Sequence, residues 1–359
     1  MFAVMSAGAP AAALALLVAI GPAPDPGGGG GGGYAPPASA VGRSFPVMGT
    51  EARVTLWTAD TARAERAFAA TKAEMERIER LMTDWERPGW PASDVVRINK
   101  AAGKSAVKVS PETLSVIEKS LEMSKRSGGA FDITFAVMRG LWKFDEDLDP
   151  KLPPTAEIER RRKLIDWREV VVDPGAHTVK LRRADMRLGL GGIAKGYAVD
   201  RCAAVLRSAG FGDFMVQAGG DLYVSGSKGG VSWMVGVRDP RGPPNAIIGR
   251  MPIKDHAFST AGDYERAFVL DGKRYHHIID PKTGFPATAS REVTIFAPTA
   301  LLADALDDAV FILGPEKGLA LVEGYPDCAA MIVDANNKVW TSKSLEGRLQ
   351  RTAAPSEGL

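Results

Sequence analysis

Between Thr61 and Met82 the apolar residues Phe68, Met75, Ile78 and Met82 recur at the spacing of one helical face, which predicts an amphipathic helix. Ser110-Pro111-Glu112 marks a second, with an N-cap and a proline at the first helical position. Leu114, Ile117 and Leu121 give it an apolar face and Gly128-Gly129 stops it. A third is expected over Lys195 to Ala209, closed by Gly210, and a fourth from a Thr299 cap to Leu313-Gly314. The ordered chain opens near Val41 with an apolar segment through Phe45 and Met48, followed by a strand from Arg53 to Trp57. Val170 to Val172 and Thr178 to Leu181 read as a hairpin. Short strands follow at Phe214 to Gln217, Leu222 to Ser225, Trp233 to Arg238, Ala246 to Pro252 and Ala267 to Leu270, with Asp271-Gly272 as a two-residue hairpin turn. Glu292 to Phe296 is a further strand, and Ala330 to Val333 with Lys338 to Thr341 closes the chain as a hairpin. Strands in runs, with helices between the runs and no regular β-α alternation, predict an α+β fold: mixed or antiparallel sheets flanked by helices.

Composition narrows the partners. In 359 residues, 45% hydrophobic and 25% charged, 45 Lys and Arg stand against 43 Asp and Glu; the net charge of +2 gives no basic face for nucleic acid. Ala11 to Ile20 is a ten-residue apolar run, too short for an integral membrane span and the right size for a signal-peptide core, although no Lys or Arg precedes Arg43. Export, to the periplasm or beyond, is the expected address. Gly21 to Ala40 is nearly all Gly, Pro, Ala and Ser, so residues 1–40 are expected to be a signal-like segment and a disordered tether. Cys202 and Cys328 lack metal-ligand spacing, and whether they pair is open.

The chemistry gathers in a few places. Asp304, Asp307 and Asp308 stand at i, i+3 and i+4 on the fourth helix, where their carboxylates repel unless a cation sits among them. Mg²⁺ takes oxygen ligands and leaves positions for phosphate, whereas the plainer reading is a solvated acidic face. Leu190-Gly191-Gly192-Ile193-Ala194-Lys195-Gly196 brings backbone close to a ligand at a helix start, with Lys195 as a point charge for phosphate; it is not a Walker A loop. Gln217-Ala218-Gly219-Gly220-Asp221 is a second glycine turn. His277 is the candidate general base, and Asp280 a group to orient it. Trp85, Trp142 and Phe131 are core aromatics unless one stacks on a ring ligand.

In this order the pieces resemble the FAD:protein FMN transferases, the ApbE-type flavin transferase family. The likeness runs from about Phe45 to Leu313 through Met48-Gly49-Thr50, Met82-Thr83-Asp84-Trp85, Ser127-Gly128-Gly129-Ala130-Phe131-Asp132, Gly191 to Asp200, Ala218 to Asp221, Ser259 to Arg266 and the His277 and Asp304 segments. The resemblance implies one catalytic domain over 41–345 with a disordered tail at 346–359. It also implies an enzyme that splits FAD and joins FMN to a Thr or Ser hydroxyl of an acceptor protein, releasing AMP. FAD would be the substrate and Mg²⁺ the cofactor, and acceptors would be exported or membrane-bound redox subunits. By position, Met48, Trp85, Ala130, Phe131, Asp132, Lys195 and Ile278 would contact FAD. The Gly192 carbonyl, Asp304, Asp307 and Asp308 would hold the metal, with His277 and Lys195 catalytic. Two departures stand out: Gly189 where the family usually has Asp, and Asp308 where it usually has Thr, an exchange expected to conserve carboxylates. The rival readings are an FAD pyrophosphatase giving free FMN and AMP, and a noncatalytic flavin-binding protein.

Overall fold

The computed structural model describes residues 38–144 and 151–358. The signal-like run at Ala11 to Ile20 and the tether up to residue 37 lie outside the described residues. The strands in chain order are β1 (Ser39–Val47), β2 (Thr50–Thr58), β3 (Val107–Lys108), β4 (Val170–Asp173), β5 (Thr178–Leu181), β6 (Phe214–Ala218), β7 (Asp221–Ser225) and β8 (Trp233–Arg238). They continue with β9 (Ile247–Ile253), β10 (His256–Gly262), β11 (Ala267–Leu270), β12 (Lys273–His276), β13 (Ser290–Ala297), β14 (Ala329–Asp334), β15 (Val339–Thr341) and β16 (Gln350–Arg351). The helices are α1 (Thr61–Met82), α2 (Asp94–Lys100), α3 (Pro111–Arg126), α4 (Thr155–Arg162), α5 (Ala194–Ser208), α6 (Ala300–Leu313) and α7 (Pro315–Glu323).

The centre is an eight-stranded antiparallel sheet in the order β1-β2-β6-β7-β10-β13-β14-β15. Its side chains alternate between two cores. Ala257 and Ala261 of β10, Val293 and Ile295 of β13, and Ala330 and Ile332 of β14 join the first, which α1, α5, α6 and α7 cover. Phe258, Phe296, Met331 and Val333 join the second, beneath the sheet β16-β9-β8. Because both faces are buried, these strands read as nearly unbroken apolar runs. This is the expected α+β architecture.

The caps act as anticipated: the Ser110 hydroxyl accepts from Thr113 N at 3.1 Å behind Pro111, and Thr299 accepts from Leu302 N at 3.3 Å. No strand was expected where β10 lies, since its helix-facing positions are Ala257, Ser259 and Ala261. Their small size, which obscures the strand signal, lets α6 settle on the sheet. The tail at 346–359, expected to be disordered, is folded through Gly358. Gln350 and Arg351 pair with Arg250 and Gly249 of β9, and Ser356 donates through N and Oγ to Asp239 Oδ2 at 3.1 and 2.7 Å. These ties are long-range, so composition gave no sign of them. Cys202 and Cys328 are both free and buried. Among the described residues no helix is long and apolar enough to cross a membrane.

Glu292 of β13 is fully buried, with Thr294 donating to Oε1 and no partner on Oε2. Burial pushes its carboxyl up to about 8, against the Thr294 hydrogen bond, with Asp239 adding to the rise. The folded chain therefore holds a proton that the unfolded chain loses above its usual pKa of 4.5. Stability must fall as pH rises between those values. Glu292→Gln is expected to remove this slope, gaining on the order of 4–5 kcal/mol over the wild type at pH 8.5 and little at pH 4.5. Denaturant melts at the two pH values check it, and parallel pH dependence in both proteins would refute it.

Candidate active site

Three close approaches build the site. Gly219, at φ 60°, and Gly220 turn β6 into β7; a Cβ on Gly220 would lie 2.7 Å from the Thr260 carbonyl oxygen, so the turn sits hard against β10. It delivers Asp221, 1% exposed, to the helix side of the sheet. Gly196, in the first turn of α5, lies so near α6 that a Cβ there would meet the Ala300 carbonyl and come within 2.8 Å of Asp304 Cβ. Asp200, one turn further along α5, accepts from Ala300 N and Leu301 N at 2.8 and 2.9 Å and so caps α6. One helix thus fixes the position and the start of the other.

The acidic helix does not face solvent. Asp304 and Asp307 are 2% and 4% exposed, and their carboxylates lie with that of Asp221 in a group whose ligand atoms are all within 4.8 Å of one another. Lys195 Nζ stands 3.0 Å from both Asp221 Oδ2 and Asp304 Oδ1 and donates to Gly191 O at 3.3 Å. Gly196 N donates to Asp304 Oδ2 at 2.8 Å. Ser259 Oγ lies 2.6 Å from Asp221 Oδ1 and 2.5 Å from Asp307 Oδ2. One hydroxyl carries one proton, so the second contact requires either a proton on a carboxylate or a cation between the two. Asp308 completes the set: its Oδ2 would be 2.7 Å from a Cβ on Gly192.

Four carboxylates and one ammonium leave the cluster short of positive charge. Burial raises Asp307 well above the usual range, and Asp308, Asp304 and Asp221 add to it. Burial and Asp221 likewise lift Asp304, against Lys195, and burial lifts Asp308. Burial alone would lower Lys195, but Asp221, Asp304 and Asp307 outweigh it and hold the ammonium charged. An all-oxygen set with excess negative charge and an unsatisfied hydroxyl pairing fits a hard divalent cation. Of the four residues named from the sequence, Asp304 and Asp307 lie in this group with Asp221, and Asp308 stands against Gly192 beside it. Asp221 and Ser259 belong with them.

The imidazole pair divides. His276 is buried, its Nε2 2.8 Å from Ala287 O and its ring against Phe311. His277 is half-buried, and its Nδ1 is out of solvent with no hydrogen-bond partner. Burial, then the charges of His276, Arg266 and Lys195, push His277 down to about 3, leaving a neutral ring able to accept a proton. Asp280 does not orient it. Its Oδ1 accepts from Lys282 N at 2.9 Å and shapes the following turn.

Met48 sits in the β1-β2 turn at φ 52°, a left-handed conformation uncommon for such a side chain. Trp85 is 58% exposed, with the Arg139 guanidinium 3.9 Å over its ring. Ala130 and Phe131 are buried, and the Phe131 ring edge would be 3.4 Å from a Cβ on Gly192. Asp132 spends both oxygens on protein: Oδ1 accepts from Thr134 N and Oγ1, and Oδ2 from Trp167 N at 3.0 Å. It fixes the loop that presents Phe131. Ile278 is buried beside His277. The expected exchange between positions 189 and 308 has a different geometry: Asp308 faces Gly192, whereas a Cβ at 189 would meet Ala136 Cβ at 3.0 Å and Asp84 Oδ2 at 3.1 Å.

The family model described as the ApbE family matches residues 48–332. A Klebsiella pneumoniae (strain 342) protein named FAD:protein FMN transferase is 32% identical over 315 residues, covering 86% of this chain and 89% of its own. One of the same name from Treponema pallidum (strain Nichols) is 33% identical over 322 residues, covering 85% and 87%. The crystal structure of the ApbE protein from Thermotoga maritima superposes with a TM-score of 0.77 at 32% identity, covering 88% of this chain and all of that one. The flavin transferase ApbE from Vibrio cholerae gives 0.77 at 26% identity, covering 87% and 100%.

Proposed function

The chain belongs to the ApbE family, and from that premise we propose that it transfers the FMN moiety of FAD to a Thr or Ser hydroxyl of an acceptor protein, at a Mg²⁺-dependent site. It is a transferase acting on flavin. The observation that best supports the finer reading is the Lys195 ammonium, held between Asp221 and Asp304 beside a neutral His277.

In this reading the diphosphate of FAD lies against Lys195, whose charge offsets that of the phosphates. Gly192, Asp304, Asp307 and Asp308 would hold a divalent cation, which would supply further positive charge to the phosphate oxygens. The acceptor hydroxyl attacks the FMN phosphorus, the bond from that phosphorus to the bridging oxygen breaks, and AMP leaves with that oxygen. His277 takes the hydroxyl proton. Its low pKa in the free chain comes first from burial and then from neighbouring positive charge; an arriving diphosphate opposes the second, so the ring becomes a stronger base when substrate is present. Packed polypeptide must keep water from the same phosphorus, since water in place of the hydroxyl gives only FMN and AMP.

Acceptors are expected among exported or membrane-bound redox subunits, a proposal that accords with the apolar run at Ala11 to Ile20. Purified protein, FAD, Mg²⁺ and a candidate acceptor should yield a fluorescent flavin band that survives denaturation. Free FMN with no labelled acceptor would favour the pyrophosphatase instead. Trp85→Ala is expected to weaken FAD binding by about 1–3 kcal/mol with little loss of stability, because the indole is mostly exposed and free to stack. Titration of FAD fluorescence measures it, and unchanged affinity would remove Trp85 from the site.

A further inference from the structure

Lys195 is fully engaged where it stands. An ammonium carries three N–H donors, and three acceptors meet this one: Asp221 Oδ2 and Asp304 Oδ1 at 3.0 Å each, and Gly191 O at 3.3 Å. As placed, it has no donor left for a phosphate. Lys195 also lies in the first turn of α5, where the helix dipole opposes a positive charge, so the carboxylates rather than the helix keep it there.

The two acids that grip it have their other oxygens committed. Asp304 Oδ2 takes Gly196 N at 2.8 Å, and Asp221 Oδ1 lies 2.6 Å from Ser259 Oγ; the ammonium takes the remaining oxygen of each. A divalent cation ligated by Asp304 through either oxygen comes within a few ångströms of that ammonium, and away from water the two charges repel strongly. The depths also differ. The Lys195 side chain is 28% exposed, whereas those of Asp221 and Asp304 are 2% and 3% exposed. The lysine therefore reaches in from the solvent side over carboxylates buried beneath it, and solvent lies on the side to which it can turn.

We propose that Lys195 is an internal counter-ion that competes with the divalent cation for Asp304 and Asp221: when the cation binds, the ammonium is released and turns to the diphosphate of FAD. The inference rests on the flavin reading above and gives that site an order of assembly. Lys195 serves the phosphates only once Asp304 lets go of it. The cation and FAD thus favour each other's binding through one side chain, beyond any direct contact between them.

The test is the Mg²⁺ dissociation constant, by calorimetry, of wild type and Lys195→Met. Each is measured alone and again when saturated with an FAD analogue whose diphosphate carries an uncleavable methylene bridge. Alone, the variant should bind Mg²⁺ roughly tenfold or more tightly than wild type, because the competing charge is gone. With the analogue bound that advantage should shrink or reverse, since the wild-type ammonium has already moved to the phosphates. A lysine that merely orders the carboxylates gives the opposite sign. If the variant folds poorly, wild type alone decides: crystals with Mn²⁺ at the cluster should show Nζ more than about 4 Å from Asp304 Oδ1, beyond ion-pair range. Equal or weaker Mg²⁺ binding by the variant alone, an advantage undiminished by the analogue, or Nζ still 3.0 Å from Asp304 beside bound Mn²⁺ overturns the proposal. Failure of wild type to bind a divalent cation at the cluster, or to bind FAD, would instead overturn the flavin reading itself.

Discussion

Asp304→Asn is expected to reduce transfer by about 10³-fold or more while leaving the melting temperature within a few degrees of wild type. The asparagine keeps an oxygen for Gly196 N, which donates at 2.8 Å, so the α5-α6 contact survives. What is lost is charge. Of its two close carboxylates Lys195 keeps Asp221 at 3.0 Å, and a divalent cation held as proposed would lose an anionic ligand. Alanine would be the poorer probe, because it orphans the buried Gly196 N–H at a cost of about 1–3 kcal/mol and confuses folding with chemistry. Thorough removal of divalent ions should mimic the substitution, with activity returning on addition of Mg²⁺. Full turnover in metal-free enzyme, or in the Asn variant, would dismiss the cation from the mechanism.

His277→Ala should lower turnover by ~10² to 10⁴ with FAD affinity little changed, since a general base acts on the transition state more than on bound substrate. The geometry separates this residue from its neighbour. His276 is committed to Ala287 O and to Phe311, so His276→Ala should cost stability, whereas His277 has no hydrogen bond at Nδ1 to lose. Single-turnover transfer to an acceptor, with FAD binding measured alongside, distinguishes the roles. A His277 variant that binds FAD weakly but turns over normally once saturated would make the imidazole a binding group and send the search for a base elsewhere.

The parts of this site legible in the sequence were those that repeat a local pattern. Asp304, Asp307 and Asp308 announce a shared face by helical spacing, and the glycines before Lys195 mark a close approach at a helix start. Asp221 sat in a turn already singled out, but nothing local says that its carboxylate crosses to Lys195; that is decided by which strand lies beside β7. Ser259 was hidden for a related reason, since β10 is built of small residues and lacks the alternation that reveals a strand. Asp280, adjacent to the histidines in sequence, was read as their partner, yet a carboxylate two residues before a free N–H caps its own turn first. Position 189 shows the limit most sharply. A glycine in place of an acid reads as an exchange with Asp308, whereas the carboxylate beside position 189 in three dimensions is Asp84, its Oδ2 3.1 Å from where a Cβ there would stand.

The strand order has a consequence for synthesis. β2 finds its inner neighbour in β6, where Val54 faces Val216 and Leu56 faces Phe214 about 160 residues later in the chain. At roughly 5–20 residues per second, the first hairpin waits on the order of ten to thirty seconds with an apolar face uncovered and one edge unpaired. The α1 helix shields part of that face in the interval, through Phe68, Met75 and Ile78. The growing chain is therefore most exposed to misassociation early, and slower elongation lengthens that window before the partner strand exists.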